Sequence, residues 1–243
     1  MSREFYPREF TDRSRSVLHR VRDAVPDAVL IGGWGTWVRI GGAMSHDIDL
    51  IVTRPQLAVI TTMVGDASES RHLGGRKWRA TLEGIHLDLY VPHLSRLGEH
   101  LQLRTERLVE RRERVDRWTV LDVPGHLATK LAALVDRPDS LPGEKDRQEI
   151  LALLDLGVNV AEAVGALHHA SARTPQEVSE LIGQAVVFLA DLPLDHARRR
   201  WLRQLAAEWH RESQPLTGGP YPRSPASPGR PPAARRHGTG LGR

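Results

Sequence analysis

Apolar residues recur at two different spacings along the chain, and the change in spacing divides the chain into two halves. In roughly the first half, short apolar runs alternate with polar residues at every second position, which is typical of half-buried strands. The strands that this pattern predicts lie near 28–32, 47–52, 77–82, 85–91 and 117–121. Helical spacing predicts helices at 12–25, with Thr11 as the N-cap, at 55–64 and at 97–114.

From Pro124 onward the apolar spacing is helical throughout. The predicted helices span about 124–136, 143–156, 159–172, 175–191 and 194–212. The fold class is therefore α/β (α+β): a mixed sheet flanked by helices, followed by a helical C-terminal half. We expect a catalytic α/β domain at 1–122 and a helical domain at 123–212 that completes a cleft. The segment 213–243 is rich in Pro, Gly and Arg, and we expect it to be disordered and basic.

Asp47 and Asp49 share one face of the second predicted strand. The residues between and after them, Ile48 and Leu50, are apolar and alternate with them, so both carboxylates point away from the core. Along a strand they stand about 7 Å apart. Two like charges this close repel each other unless a cation lies between them, and Mg²⁺ prefers such oxygen ligands.

A glycine pair, Gly32-Gly33, comes directly after the first predicted strand and opens a segment that reads as helix. Bare backbone N–H groups at a helix N-terminus form a phosphate site. A lone glycine pair usually means only a turn, and a lone Asp-x-Asp is common. In this order, a phosphate cradle followed by an acidic pair is more specific and indicates nucleotide chemistry.

These residues carry a resemblance. Gly32-Gly33, a helical spacer and then Ser45-His46-Asp47-Ile48-Asp49-Leu50 resemble the signature of the DNA-polymerase-beta-like nucleotidyltransferases, and within them the AbiEii/MenT-like toxin branch. The resemblance implies a nucleotidyltransferase-type fold with two Mg²⁺ ions held by Asp47, Asp49 and a third carboxylate, for which Asp88 is the candidate. It also implies that Gly32, Gly33 and Ser45 hold nucleotide phosphates.

Downstream, the same resemblance covers the chain to about residue 155. It places a lysine on a helix at Lys130, as a mobile positive charge near the phosphates, and a Lys-Asp pair at Lys145-Asp146. Lys145 is then nucleotide-binding, and Asp146 positions Lys130, the nucleotide or the acceptor. One position departs from the branch: Glu149 stands where it often has a second Asp.

The composition of the chain bears on where in the cell the protein is expected. The chain has 243 residues, no cysteine and a formal net charge of +4. Six arginines against one glutamate in the segment 211–243 account for that excess, so the rest is close to neutral. No apolar stretch approaches the roughly 18 residues of a membrane span. We therefore expect no membrane partner and a soluble cytoplasmic protein.

Three functions stay open at this point. The first is a toxin-like enzyme that adds nucleotides from an NTP to RNA, with a tRNA 3′ end as the expected acceptor, and that has a cognate antitoxin protein. The second is an enzyme that modifies a small hydroxyl compound, as antibiotic nucleotidyltransferases do, since Gly32-Gly33-Trp34 with the acidic motif also resembles that branch. The third is a non-catalytic protein that binds a nucleotide or a partner. The base and the acceptor are not encoded in any motif of the chain.

Overall fold

A computed structural model describes residues 5–189 and 192–213 of the chain. The predicted tail 213–243 lies outside these residues except for its first position. Nine helices and nine strands follow one another within the described ranges. In chain order they are α1 (Arg8–Ala24), β1 (Val29–Ile31), α2 (Gly32–Ile40), β2 (Ile48–Ile51), α3 (Arg54–Val64), β3 (Ala67–His72), β4 (Gly75–Leu82), β5 (Ile85–Tyr90), β6 (Arg96–Leu97), β7 (Leu103–Arg104), α4 (Thr105–Val109), β8 (Arg112–Val115), β9 (Trp118–Leu121), α5 (Val123–Asp136), α6 (Leu141–Leu154), α7 (Val160–Ala170), α8 (Pro175–Leu189) and α9 (His196–Ser213).

Seven of the strands form one mixed sheet in the order β3-β4-β5-β2-β1-β9-β8. The pairs β2·β5 and β1·β9 are parallel, and the remaining neighbours are antiparallel. A separate two-stranded sheet joins β6 to β7. The predicted fold class, a mixed sheet flanked by helices with a helical C-terminal half, is confirmed.

Two apolar cores lie on opposite faces of the sheet. One contains the inward residues of α1, α3, β4 and β5, among them Val17, Ile60 and Leu87. The other joins β1, β2 and β9 to the C-terminal helices from α5 onward, with Leu131 and Trp209 fully buried. Asp49 lies on the same face of β2 as Ile51, which belongs to the second core. This side of the central strands therefore faces α5 and α6. The boundary near residue 122 stays a prediction.

The prediction of a helix at 97–114 is wrong. Only Thr105–Val109 is helical there, and Arg112–Val115 pairs with β9 as an antiparallel strand. Gly98 and Gln102 both have positive φ, 76° and 47°, which no α-helix accommodates. Arg and Glu favour helices intrinsically, but pairing with a neighbouring strand overrides that preference.

One smaller prediction also failed, and one strand was not predicted at all. Helix α1 begins at Arg8, so Thr11 lies inside it, and the Thr11 hydroxyl donates to the Arg8 carbonyl oxygen at 2.9 Å instead of capping the helix. Strand β3 was not predicted, because its sequence Ala-Ser-Glu-Ser-Arg-His contains almost no apolar residue. Among the described residues no helix combines the length and the apolar character needed to cross a membrane.

Candidate active site

A cleft of about 550 Å³ opens between the polar face of the central strands and the helices α5 and α6. All the residues that the sequence predicted for the site contribute to its lining. They are Gly32, Gly33, Ser45, Asp47, Asp49, Asp88, Lys130, Lys145 and Asp146. The structure thus brings together side chains that are separated by more than 100 positions in sequence.

The glycine pair forms the turn from β1 into α2 at the edge of the cleft. Gly32 has φ +64°, a conformation that L side chains rarely adopt, and a Cβ there would collide with the Asp49 carboxylate. A Cβ on Gly33 would stand 2.8 Å from Lys145 Nζ and 2.9 Å from Ser45 Oγ. The N-terminus of α2 is therefore bare backbone between a hydroxyl and an ammonium group, which is an arrangement that suits phosphate.

A buried histidine, His126, fastens this turn to helix α5. Its Nε2 lies 3.0 Å from Thr36 Oγ1 and 3.3 Å from the Gly32 carbonyl oxygen. Burial, together with the nearby Lys130 charge, lowers the pKa of His126 to about 3, so the ring is neutral. No sequence motif marks His126 as part of the site.

Asp49 and Asp88 are direct partners in the parallel pairing of β2 and β5. Adjacent strands lie about 4.8 Å apart, so the two carboxylates are close neighbours. Burial, and then the negative charge of Asp88, raises the pKa of Asp49 to about 6. Asp47 lies at the cleft mouth, where its Oδ2 is 3.1 Å from His46 Nε2.

Asp88 is held by two cations of strand β4. Lys77 Nζ lies 2.5 Å from Asp88 Oδ2, and Arg79 Nε lies 2.9 Å from Asp88 Oδ1. Burial works to raise the pKa of Asp88, but the hydrogen bonds from Arg79 and Lys77 outweigh it and lower the pKa below its usual value. Asp88 is therefore ionised, and it is a poor proton acceptor.

Lys130 is fixed in place, contrary to the expectation of a mobile charge. It is almost fully buried and forms ion pairs with Asp146, at 3.0 Å, and with Glu149. Burial works to lower its pKa, but the two carboxylates outweigh that effect and raise it, so Lys130 stays charged. Asp146 in turn accepts two hydrogen bonds from Arg137, at 3.0 and 2.8 Å. Glu149, the position that departs from the branch, is thus one of the two carboxylates that pair with Lys130.

Lys145 is the less constrained of the two site lysines. Its Nζ is 3.4 Å from the Met44 carbonyl oxygen and 3.7 Å from Glu149 Oε1. Burial lowers its pKa, and Glu149 opposes that shift only in part. An ammonium group that is desolvated and weakly paired next to bare glycine backbone gains most from an added anion.

Tyr6 also lines the cleft, although no sequence motif marks it. It comes from the segment before α1, and its ring lies between His46, at 4.0 Å between ring centroids, and the Lys145 ammonium, at 5.3 Å from the ring centroid. The rings of Trp34 and Trp37, by contrast, pack edge to face on each other, with Trp34 fully buried and Trp37 partly buried, and the Trp34 indole N–H donates to Ser14 Oγ at 2.9 Å. His168 and His169 lie in the last turn of α7.

Within the part of the chain that the structure describes, no group of three or more His, Asp or Glu residues is placed to hold a metal ion. The two carboxylates Asp47 and Asp49 nevertheless fit Mg²⁺, which usually takes one or two carboxylates, water and substrate phosphates rather than an all-protein cage. Burial and the charge of Asp88 raise the pKa of Asp49, and Lys77 and Lys130 offset that shift only in part, so a cation bound to this carboxylate would stabilise its ionised form. Asp88 fits less well, because both of its oxygens are engaged by Lys77 and Arg79.

The chain matches no protein-family model and no curated protein. Among solved structures, it is similar to an antigenic nucleotidyltransferase-like protein from Paracoccidioides brasiliensis, with 14% sequence identity and a TM-score of 0.43. The similarity covers 82% of this chain and 93% of that chain.

Proposed function

We propose that the protein is a nucleotidyltransferase that moves a nucleoside monophosphate from an NTP to an acceptor hydroxyl. The observation that carries this proposal is the composition of the cleft. It has bare glycine backbone beside Ser45 and Lys145, which suits phosphates, and the carboxylate of Asp49 lies directly next to that backbone, with Asp47 in the same cleft. A phosphate site that adjoins two carboxylates matches the triphosphate of a nucleotide and the Mg²⁺ ion that accompanies it.

The triphosphate would bind at the N-terminus of α2. Backbone N–H groups of Gly32 and Gly33 and the hydroxyl of Ser45 would donate to the β- and γ-phosphate oxygens, and Lys145 would neutralise their charge. Lys130 lies deeper, and its ion pairs with Asp146 and Glu149 hold its ammonium group at one position. It therefore contributes a fixed positive charge near the α-phosphate.

Mg²⁺ is the proposed cofactor, with Asp47 and Asp49 as its ligands, and when bound it would supply charge stabilisation for the transferring phosphoryl group. A second ion, and Asp88 as a further ligand, remain predictions from the family resemblance.

In the transfer, a bond forms between the acceptor oxygen and the α-phosphorus while the bond to the β-phosphate oxygen breaks, and pyrophosphate leaves. The acceptor hydroxyl loses its proton in this step, and another group has to accept that proton. Asp88 is a poor acceptor for it, since Lys77 and Arg79 stabilise its ionised form. The proton is released to water in the open cleft.

For the acceptor we propose RNA, and for the biological role a toxin of the AbiEii/MenT-like type that modifies a tRNA 3′ end and is paired with an antitoxin. The support is the resemblance of the motif from Ser45 to Leu50 and the position of Lys145-Asp146 at the cleft. A small hydroxyl compound such as an antibiotic, and a non-catalytic nucleotide-binding role, are the alternatives.

One experiment separates these functions. The purified protein is incubated with MgCl₂ and each α-³²P-labelled NTP, together with total tRNA or with a panel of aminoglycosides and lincosamides. Label in tRNA, lost in Asp49→Asn, is the expected result. Label in a small compound alone would support the alternative acceptor class, and nucleotide binding without any transfer would refute catalysis.

A further inference from the structure

The polar face of the sheet continues beyond Asp88 onto β4 and β3. Asp88 pairs with Arg79, and Arg79 and Lys77 pair with Ser68 and Ser70, so all these side chains share one face. Most of this surface is exposed to solvent. We call it the outer sheet face, and its residues are Ser68, Ser70, His72, Lys77, Arg79 and Thr81.

The outer sheet face carries two cations, Lys77 and Arg79, and both of them pair with Asp88 on the neighbouring strand. Glu69, the acid of β3, alternates to the opposite face, so the two cations and Asp88 together leave one positive charge in excess. Two strands about 4.8 Å apart and several residues long, at about 3.4 Å per residue, give a surface longer than one small-molecule acceptor. An excess of positive charge on a surface of this length, carried by the exposed Arg79, suits the phosphates of an extended chain.

Arg79 is oriented so that it can bind a second anion. Its Nε and Nη2 donate to Asp88 at 2.9 and 3.3 Å, which turns the other edge of the guanidinium away from Asp88. The side chain is 56% exposed, and in the described residues Asp88 is its only hydrogen-bonding and ion-pair partner through the side chain. Because guanidinium has five donors in a fixed fork, Asp88 acts as a support for Arg79 and leaves donors free for a phosphate.

We propose that the outer sheet face binds the backbone of single-stranded RNA and leads its end to the cleft. This inference rests on the proposed nucleotidyl transfer and identifies where its acceptor docks. Arg79 and Lys77 take a phosphate next to the attacking hydroxyl. The hydroxyls of Ser68 and Ser70 donate to the carbonyl oxygens of Arg79 and Lys77, and their oxygen atoms accept from the 2′-OH groups that distinguish RNA from DNA.

Binding is tested without chemistry. Fluorescence anisotropy measures the affinity of the full chain for a fluorescein-labelled single-stranded RNA of about ten nucleotides, in EDTA and without NTP, at several salt concentrations. Arg79→Ala should raise the Kd about tenfold and reduce the log–log salt slope by about 0.7, the value for one lost phosphate contact on a single strand. The matched control is Arg71→Ala, which removes the same charge from the opposite face of the same hairpin and should change the Kd less than twofold. Equal effects of the two variants, or no effect of Arg79→Ala, overturn the proposal.

Arg79→Ala also removes a hydrogen-bond partner of Asp88, so a second variant tests the same surface without changing any partner of Asp88. Ser70→Glu adds a negative charge to the outer sheet face away from the cleft, and it should weaken RNA binding about tenfold at an unchanged melting temperature. A folded Ser70→Glu protein with wild-type affinity overturns the proposal, as does equal wild-type affinity for DNA of the same sequence. The arginine-rich segment 211–243 is present in every variant, so it cancels in the comparison.

The outcome is separable from that of the proposed function. If no NTP and acceptor pair supports transfer while Arg79→Ala still weakens RNA binding, the catalytic proposal fails and the RNA surface stands. If RNA is labelled but its binding is insensitive to both variants, the catalytic proposal stands and the outer sheet face does not bind the acceptor.

Discussion

Asp49 and Asp88 are direct partners on the parallel strands β2 and β5, yet their electrostatic environments are opposite. Asp88 accepts hydrogen bonds from Lys77 and Arg79, which lower its pKa, whereas burial and the Asp88 charge raise the pKa of Asp49 to about 6. The unbalanced negative charge of the cleft is therefore concentrated at Asp49. A bound cation would gain most at this carboxylate.

The first prediction concerns the stability of the metal-free protein. A carboxyl group whose pKa is raised on folding is destabilising when ionised, so its cost is absent below about pH 4, grows to pH 6 and stays constant above. Asp49→Asn removes that cost. The variant should be more stable than the wild type by about 1–3 kcal/mol at pH 8 in EDTA. Urea unfolding at a series of pH values measures the difference.

The control for this prediction is Asp47→Asn at the more exposed mouth of the cleft, where relief of repulsion should be smaller. MgCl₂ should stabilise the wild type and not Asp49→Asn, because a ligand stabilises only the state that binds it. A wild-type protein that is more stable than Asp49→Asn at pH 8 in EDTA would contradict our description of the site.

A second prediction concerns the glycine turn. Gly33→Ala would place a Cβ 2.8 Å from Lys145 Nζ and 2.9 Å from Ser45 Oγ, so it should displace both groups and lower nucleotide affinity at least tenfold. Gly165→Ala in α7 meets nothing within 4 Å and should be neutral or stabilise by up to about 1 kcal/mol. Isothermal titration calorimetry measures the Kd of both variants for a non-hydrolysable NTP analogue. An unchanged Kd in a folded Gly33→Ala protein would exclude a phosphate at this turn.

The parts of the site that could be predicted from sequence are those marked by a local pattern. Alternation of apolar and polar residues was enough to orient Asp49 and Asp88, since each strand carries its own period. Tyr6 and Arg137 have no such marker, because they reach the cleft only through the packing of segments distant in sequence. The wrong prediction of a helix at 97–114 has the same cause. The strand Arg112–Val115 is stabilised by pairing with β9, and the helical preference of its own residues contains no information about that partner.

A third prediction distinguishes the two site lysines. Lys130→Met leaves Asp146 and Glu149 buried without their shared partner, and removing one member of a buried ion pair costs about 3–5 kcal/mol. Lys145→Met removes an ammonium group that burial already disfavours, so it should cost less than about 1 kcal/mol. We expect both variants to lose nucleotide binding, and only the first to lose stability in urea unfolding. Equal stability losses would show that Lys145 is as tightly held as Lys130.

The last prediction concerns Tyr6, whose ring packs against His46 and the Lys145 ammonium. An aromatic pair and a cation–π contact each contribute about 0.5–1.5 kcal/mol. Without the ring, Lys145 has more freedom to leave the glycine turn, so Tyr6→Ala should raise the Kd for the NTP analogue about tenfold, while Tyr6→Phe keeps the ring and should bind like the wild type. Phe10→Ala, an exposed aromatic residue in α1, is the matched control and should have no effect on binding. Tighter binding by Tyr6→Ala would show the opposite role, a ring that covers the phosphate site and has to leave before the nucleotide enters.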